Sequence, residues 1–226
     1  YQSMFSDSAG LRNVDITGII FDQFPEIGKG YSIGTPNPAM KIIECGEGVN
    51  VRIHNCVFKH IGVHAVCFNG FGNRDNIFLY DNVFEAKRAD ENVDMSTVYI
   101  QAHHYEVRNN ILRNISTDKN RLRINGGIEC HGGISICTGN IISDYKIGIN
   151  LQTATNLSDV DYESAMIISQ NNIQNCSYGI SMFATKKVGR TEDGLKNIAI
   201  QNNIIELSFE DDLQYLKAHG ISTSTY

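Results

Sequence analysis

The chain has 226 residues, 42% of them hydrophobic and 19% charged, with a formal net charge of −6. That length suits either one large-cored domain or an elongated array, and the acidic balance argues against a nucleic-acid partner, which needs a basic footprint. No long apolar run occurs, so no membrane insertion is expected.

Tyr1 is not an initiator methionine, and Gly220 to Tyr226 reads as a strand cut in mid-pattern. A piece of a longer chain is therefore expected. Six cysteines (Cys45, Cys56, Cys67, Cys130, Cys137, Cys176) form no CxxC pair, which argues against zinc. They read as small core residues with free thiols.

Taken in order, the chain repeats one phrase. After a weak copy at Leu11 to Phe21, the pattern apolar-x-apolar-x-Asn-Asn-apolar runs from Val51 to Val57 and from Ile77 to Val83. It returns at Tyr105 to Ile111, Ser135 to Ile141, Ile167 to Ile173 and Ile198 to Ile204. The second position of each pair falls at 56, 82, 110, 140, 172 and 203, giving spacings of 26, 28, 30, 32 and 31 residues. A second phrase, Gly-apolar-x-apolar, alternates with it. It begins at Gly62, Gly127, Gly148, Gly179 and Gly220, and Thr97 to Ile100 takes the same place without the glycine.

Short β-branched runs with period-two alternation, parted by Asn and Gly, are strands and turns. Phe209 to Ala218 alone has helical spacing. Two or three short strands cannot bury their own apolar face, but stacked repeats can. Successive coils then lie about 4.8 Å apart. Val63, Val98, Ile128, Ile149, Ile180 and Ile221 should form one inner column. Ala65, Ile100, Cys130, Leu151, Met182 and Thr223 should form the next. The Asn positions should stack at a turn, where the amide bonds neighbouring backbone and tolerates left-handed dihedrals.

Strand, Asn turn, strand, variable loop and Gly-Ile strand, in coils of about thirty residues, resemble the right-handed parallel β-helix of the pectate-lyase-like superfamily. The resemblance implies an all-β solenoid of about seven coils, spanning 1–226 as one domain. Free cysteines and irregular coils are similar to bacteriophage tailspikes and appendage proteins. That likeness implies a virion protein, a homotrimer, and a cell-surface glycan polymer as partner. A secreted polysaccharide lyase or hydrolase, and a stalk that binds without cutting, are the alternatives.

In that family the Gly-Ile strand faces the substrate groove. Carried over, this gives an outward column of His64, Tyr99, Glu129, Asn150, Ser181 and Ser222. Beside it stand Val66, Gln101, His131, Gln152, Phe183 and Ser224, and His103 extends the Tyr99 strand. Amides and carboxylates read sugar hydroxyls, and aromatic rings stack on sugar faces. His64, Gln101, His103, Asn150, Gln152 and Phe183 are the expected substrate contacts.

Glu129 and His131 sit two residues apart on one strand and project together. They are the expected catalytic pair, with Tyr99 as a proton-transfer partner. A glycosidase needs a second carboxylate about 5 to 9.5 Å away, and no other outward residue of this sheet is acidic in this reading. Asp94, in the loop before the Tyr99 strand, is the expected partner. No acidic cluster suited to a hard cation stands on this face, so neither metal nor other cofactor is expected. His131-Gly132-Gly133-Ile134-Ser135-Ile136 is similar to the Gly-His-Gly-Ile-Ser-Ile stretch of polygalacturonases. Cys130 replaces the first glycine and that family's other acidic motifs are absent, so a tight strand–glycine–strand corner is expected there.

Overall fold

The computed structural model describes residues 5–7, 10–22, 41–69, 73–87, 95–115, 125–153, 165–184, 195–208 and 219–225. These residues form a parallel β-solenoid with no helix among them. Three sheets run the length of the axis. The first has eight strands, from Phe5–Asp7 to His219–Thr225. The second has seven, from Leu11–Thr17 to Ile198–Gln201, and the third has seven, from Ile20–Asp22 to Ile204–Leu207. The chain visits first, second and third sheet in turn, so each strand pairs with the strand three places on. The segment Phe209 to Ala218, expected to be helical, lies outside the described residues.

Alternation builds the core. In the first sheet Val66, Val98, Ile128, Ile149 and Ile180 stand in one inner column, with Ile43 before them. Cys45, Phe68, Ile100, Cys130, Leu151 and Met182 form the next. Both columns match the expected ones except at Ile221, which pairs with Ile180 as expected but is 51% exposed, and at the early coil. There Val66 and Phe68 stand where Val63 and Ala65 were expected. Gly62-Val63-His64-Ala65 imitates the strand phrase, but the strand begins three residues later, at Val66–Phe68. An odd slip exchanges inner and outer faces, so Val66, expected outside, is fully buried. In the third sheet Phe21, Phe58 and Phe84 stack at 4.8 and 4.7 Å between centroids. Leu112, Ile142 and Ile173 continue that column. All six cysteines are buried and free.

The Asn column forms at the turn between second and third sheets. Asn82, Asn110, Asn140, Asn171 and Asn203 stack as a ladder. The backbone N–H and the Nδ2 of each donate to Oδ1 of the next at 2.9 to 3.0 Å. Nδ2 also donates to a carbonyl of the preceding coil, such as Leu79 for Asn110 and Val107 for Asn140. The residue before each rung is left-handed: Asp81, Asn109, Gly139, Gln170 and Asn202. Asn171, not the expected Asn172, is therefore the fourth rung. Asn172 opens the next strand and pairs with Ile141.

The corner after His131 is a glycine pair, as its sequence implies. Gly132 and Gly133 have φ of 57° and 75°. A Cβ on Gly133 would sit 2.0 Å from the Ala102 carbonyl oxygen. This corner carries the chain from Asn125–His131 to Ile134–Thr138 and ends the outward row at His131.

Candidate functional site

The strand Asn125–His131 lies between Met95–Gln101 and Ile147–Gln152 in the first sheet. Register places Tyr99, Glu129, Asn150 and Ser181 in one outward column. Gln101, His131, Gln152 and Phe183 stand in the next. Eight of the expected outward residues are thus brought together.

Glu129 is the hub. Its Oε1 accepts from His131 Nε2 at 2.7 Å and from Gln152 Nε2 at 2.8 Å. Its Oε2 accepts from Ser96 Oγ at 2.5 Å. Burial opposes the carboxylate charge. The hydrogen bond and charge of His131, the Ser96 hydroxyl and nearby His64 outweigh it, and the carboxyl lies below its ordinary value. The second nitrogen of His131, Nδ1, faces the Thr153 carbonyl at 3.3 Å. The Tyr99 ring packs on the His131 ring at 4.5 Å between centroids.

The site is not the open groove floor expected of an outward face. Glu129 is 6% exposed, His131 3% and Gln101 0%. Neither amide atom of Gln101 has a hydrogen-bond partner among the described residues. Tyr99, Asn150, Gln152, Ser181 and Phe183 are half-buried. The polar face is thus closed at Glu129 and opens toward the later coils.

Three expectations are corrected. His64 does not stand beside Tyr99 in the column; Cys67 does, by the register slip described above. His64 still reaches the site from the turn. Its Nδ1 donates to the Ser96 carbonyl at 2.5 Å, and its ring meets Tyr99 edge-on at 5.9 Å. His103 does not extend the outward row. It lies at the corner, with its N–H on Arg74 O and its carbonyl accepting from Ile134 N. Burial pushes its imidazole below the ordinary value, with His104 and Arg74 adding to the effect against Asp75. Glu44, which sequence reasoning missed, stands outward in register with Cys67. It lies three strands from Glu129, about 14 Å at the usual interstrand spacing, too far for a glycosidase pair. Asp94, the expected partner carboxylate, lies outside the described residues.

Cys67 is outward but buried, and burial pushes its thiol up to about 11, against the pull of Lys41. It is a poor nucleophile at neutral pH. His54, His60 and His104 each face a carboxylate: Asp15, Asp22 and Asp75 at 2.8, 2.7 and 2.6 Å. Among the described residues, no three His, Cys, Asp or Glu side chains gather as a metal site.

A glycine makes the Ser96 contact possible. Gly126 pairs with Ser96, and a Cβ on it would lie 2.5 Å from the Ser96 hydroxyl. Gly126→Ala is expected to push that hydroxyl off Glu129 and cost about 1–3 kcal/mol. In a Ser96→Ala background the cost should shrink, a coupling that urea unfolding of the double-mutant cycle measures.

The depressed carboxyl of Glu129 fixes a pH dependence. A carboxylate held below its unfolded value stabilises the fold above that value, and the contribution is lost as pH falls through the folded one. Urea midpoints of the wild type should therefore fall below about pH 4.3. The Glu129→Gln chain should lose less over the same window, and equal losses would place the acid sensitivity elsewhere.

Searches against family models, curated proteins and solved structures give no match to this chain.

Proposed function

We propose that this chain is a glycan-acting β-helix of the pectate-lyase-like, tailspike or appendage type. It binds bacterial surface polysaccharide or a teichoic-acid-like polymer along the outer face of the first sheet, and it cuts at His131. The observation that carries this reading is the Glu129–His131–Tyr99 arrangement, set in a row of amides that reaches Gln152 and Asn150. A virion location follows from the same reading.

Glu129 is ionised, and three donors hold its two oxygens. That suits it to orienting His131 rather than to protonating a leaving group. No second described carboxylate of this face lies within glycosidase range. The reaction class best supported is β-elimination from a uronate-containing chain. His131 takes the proton beside the carboxyl carbon. The glycosidic C–O bond breaks, a C4–C5 double bond forms, and the Tyr99 phenol protonates the departing oxygen. The neutral ring keeps its Nε2–H on Glu129, and the longer contact, to Thr153, opens so that the Nδ1 lone pair takes that proton.

A second reading has its own support. A carboxylate with its acceptors filled and 6% exposure also suits a rigid receptor-binding face without chemistry. Mass spectrometry after incubation with purified envelope polymers decides. Fragments unsaturated at C4–C5 support elimination. Fragments heavier by one water mean hydrolysis and overturn the role given to His131. Bound but intact polymer leaves the receptor-binding reading.

A further inference from the structure

The outer face of the third sheet carries two side-by-side columns that nothing in the reading above uses. One is aliphatic: Ile20, Val57, Val83 and Ile111 in successive strands. Ile20 is 66% exposed, and Ile141 continues the column at 42%. The other is charged: Asp22 pairs with Lys59 and Glu85 with Arg113, and between these two pairs a bulge at Lys59–His60 sets two residues against Glu85. Its signs alternate, minus, plus, minus, plus. Among the described residues only Asp22 of these four is in an ion pair within the chain, with His60 at 2.7 Å.

An alternating row of four has a geometric property. Reversed end for end, it becomes its own complement. A two-fold axis parallel to the strands, passing between the Lys59 and Glu85 rows, reverses the order of coils but keeps each column over its own kind. Asp22 then faces Arg113 of a second copy, and Lys59 faces Glu85. Ile20 faces Ile111, and Val57 faces Val83. Every facing pair is aliphatic or opposite in charge. Two copies meeting in parallel register would instead oppose Asp22 to Asp22 and Arg113 to Arg113. Shifting the antiparallel register by two coils sets Asp22 against Gln174 and Lys59 against Ser143, and loses half of the charge pairs.

We propose that the third sheet is a self-association face, and that a second copy of this chain docks on it antiparallel through these four rows. The contact is isologous, each copy using the same patch. Charge sets orientation and register, while the aliphatic column supplies the burial. With about eight side chains a side, against 20–30 in a standard interface, the dimer is weak, with a dissociation constant on the order of 10–100 μM.

Sedimentation velocity over a concentration series tests this. The wild-type chain should pass from monomer to dimer, with the midpoint moving upward in added salt. Arg113→Glu should weaken the dimer about tenfold or more, with an unchanged circular dichroism spectrum. Adding Asp22→Lys to Arg113→Glu in the same chain restores opposite charges across the two-fold and should recover association. A monomer up to about 1 mM, well above that dissociation constant, overturns the proposal. So does an oligomer indifferent to Arg113→Glu, or a failure of the second substitution to rescue the first. None of these outcomes bears on the first sheet, so the glycan reading stands or falls separately.

Discussion

Asn171→Ala is expected to cost about 3 kcal/mol of stability, and Asn172→Ala, one residue on, less than about 1 kcal/mol. The contrast follows from the ladder. Asn171 Oδ1 accepts from the backbone and side chain of Asn140 at 3.0 and 2.9 Å. Its Nδ2 donates to Cys137 O and Asn203 Oδ1, both at 2.9 Å. Truncation leaves the Asn140 N–H without its partner in a place where Asn140 is 0% exposed. An unmet buried polar group costs about 1–3 kcal/mol, while the net gain from a made bond is nearer 1 kcal/mol. Asn172 is only half-buried, and its Oδ1 has no partner among the described residues. Urea denaturation with a shared slope measures both variants. Equal costs would mean that the rung has been assigned to the wrong asparagine.

His131→Ala should lower polymer cleavage by about 10²–10⁴-fold, the usual worth of one positioned proton-transfer group. Polymer binding should change far less, because Gln152, Asn150 and Phe183 are untouched. Tyr99→Phe should show the same split, since the ring stays on His131 and only the phenol is lost. Glu129→Gln keeps the shape of the hub. It removes the charge that orients the imidazole, so it should slow cleavage and shift its pH profile. A merely structural Glu129 would alter stability without moving that profile. The readout is initial rate by ultraviolet absorbance of the new double bond, set beside binding by calorimetry. If the rate survives His131→Ala within about threefold, proton transfer by this group contributes under about 1 kcal/mol, and the base is another residue.

Much of this architecture is written in the sequence because a solenoid repeats one physical problem. Every coil needs inward aliphatics at period two and a turn residue with positive φ, so the inner columns from Val98 to Ile180 could be aligned by eye. The early coil escaped because Gly62-Val63-His64-Ala65 satisfies the same pattern three residues before the real strand. Pairing with Thr97 and Val98, not local preference, decides between them. The fourth rung escaped for a similar reason. Gln170 takes the left-handed place usually held by Asn or Gly, and so moves the ladder from Asn172 to Asn171. Glu44 was missed because Ile43-Glu44-Cys45 lacks a leading glycine. The pairing of Glu129 with His131 was legible from a spacing of two. The donors Ser96 and Gln152, and the burial of the whole hub, were not. Ser96 arrives through a missing Cβ on the neighbouring strand, and alternation says which way a side chain points but not what covers it.

The most direct test of the central claim is polymer binding and cleavage by the Glu129→Ala/His131→Ala chain. It should be run beside wild type and beside a control substituted on the second sheet, Arg52→Ala. The account predicts that the control behaves as wild type, while the double variant folds, loses cleavage and binds more weakly. Unchanged binding and unchanged cleavage in the double variant would contradict it, and would move the functional face off the first sheet.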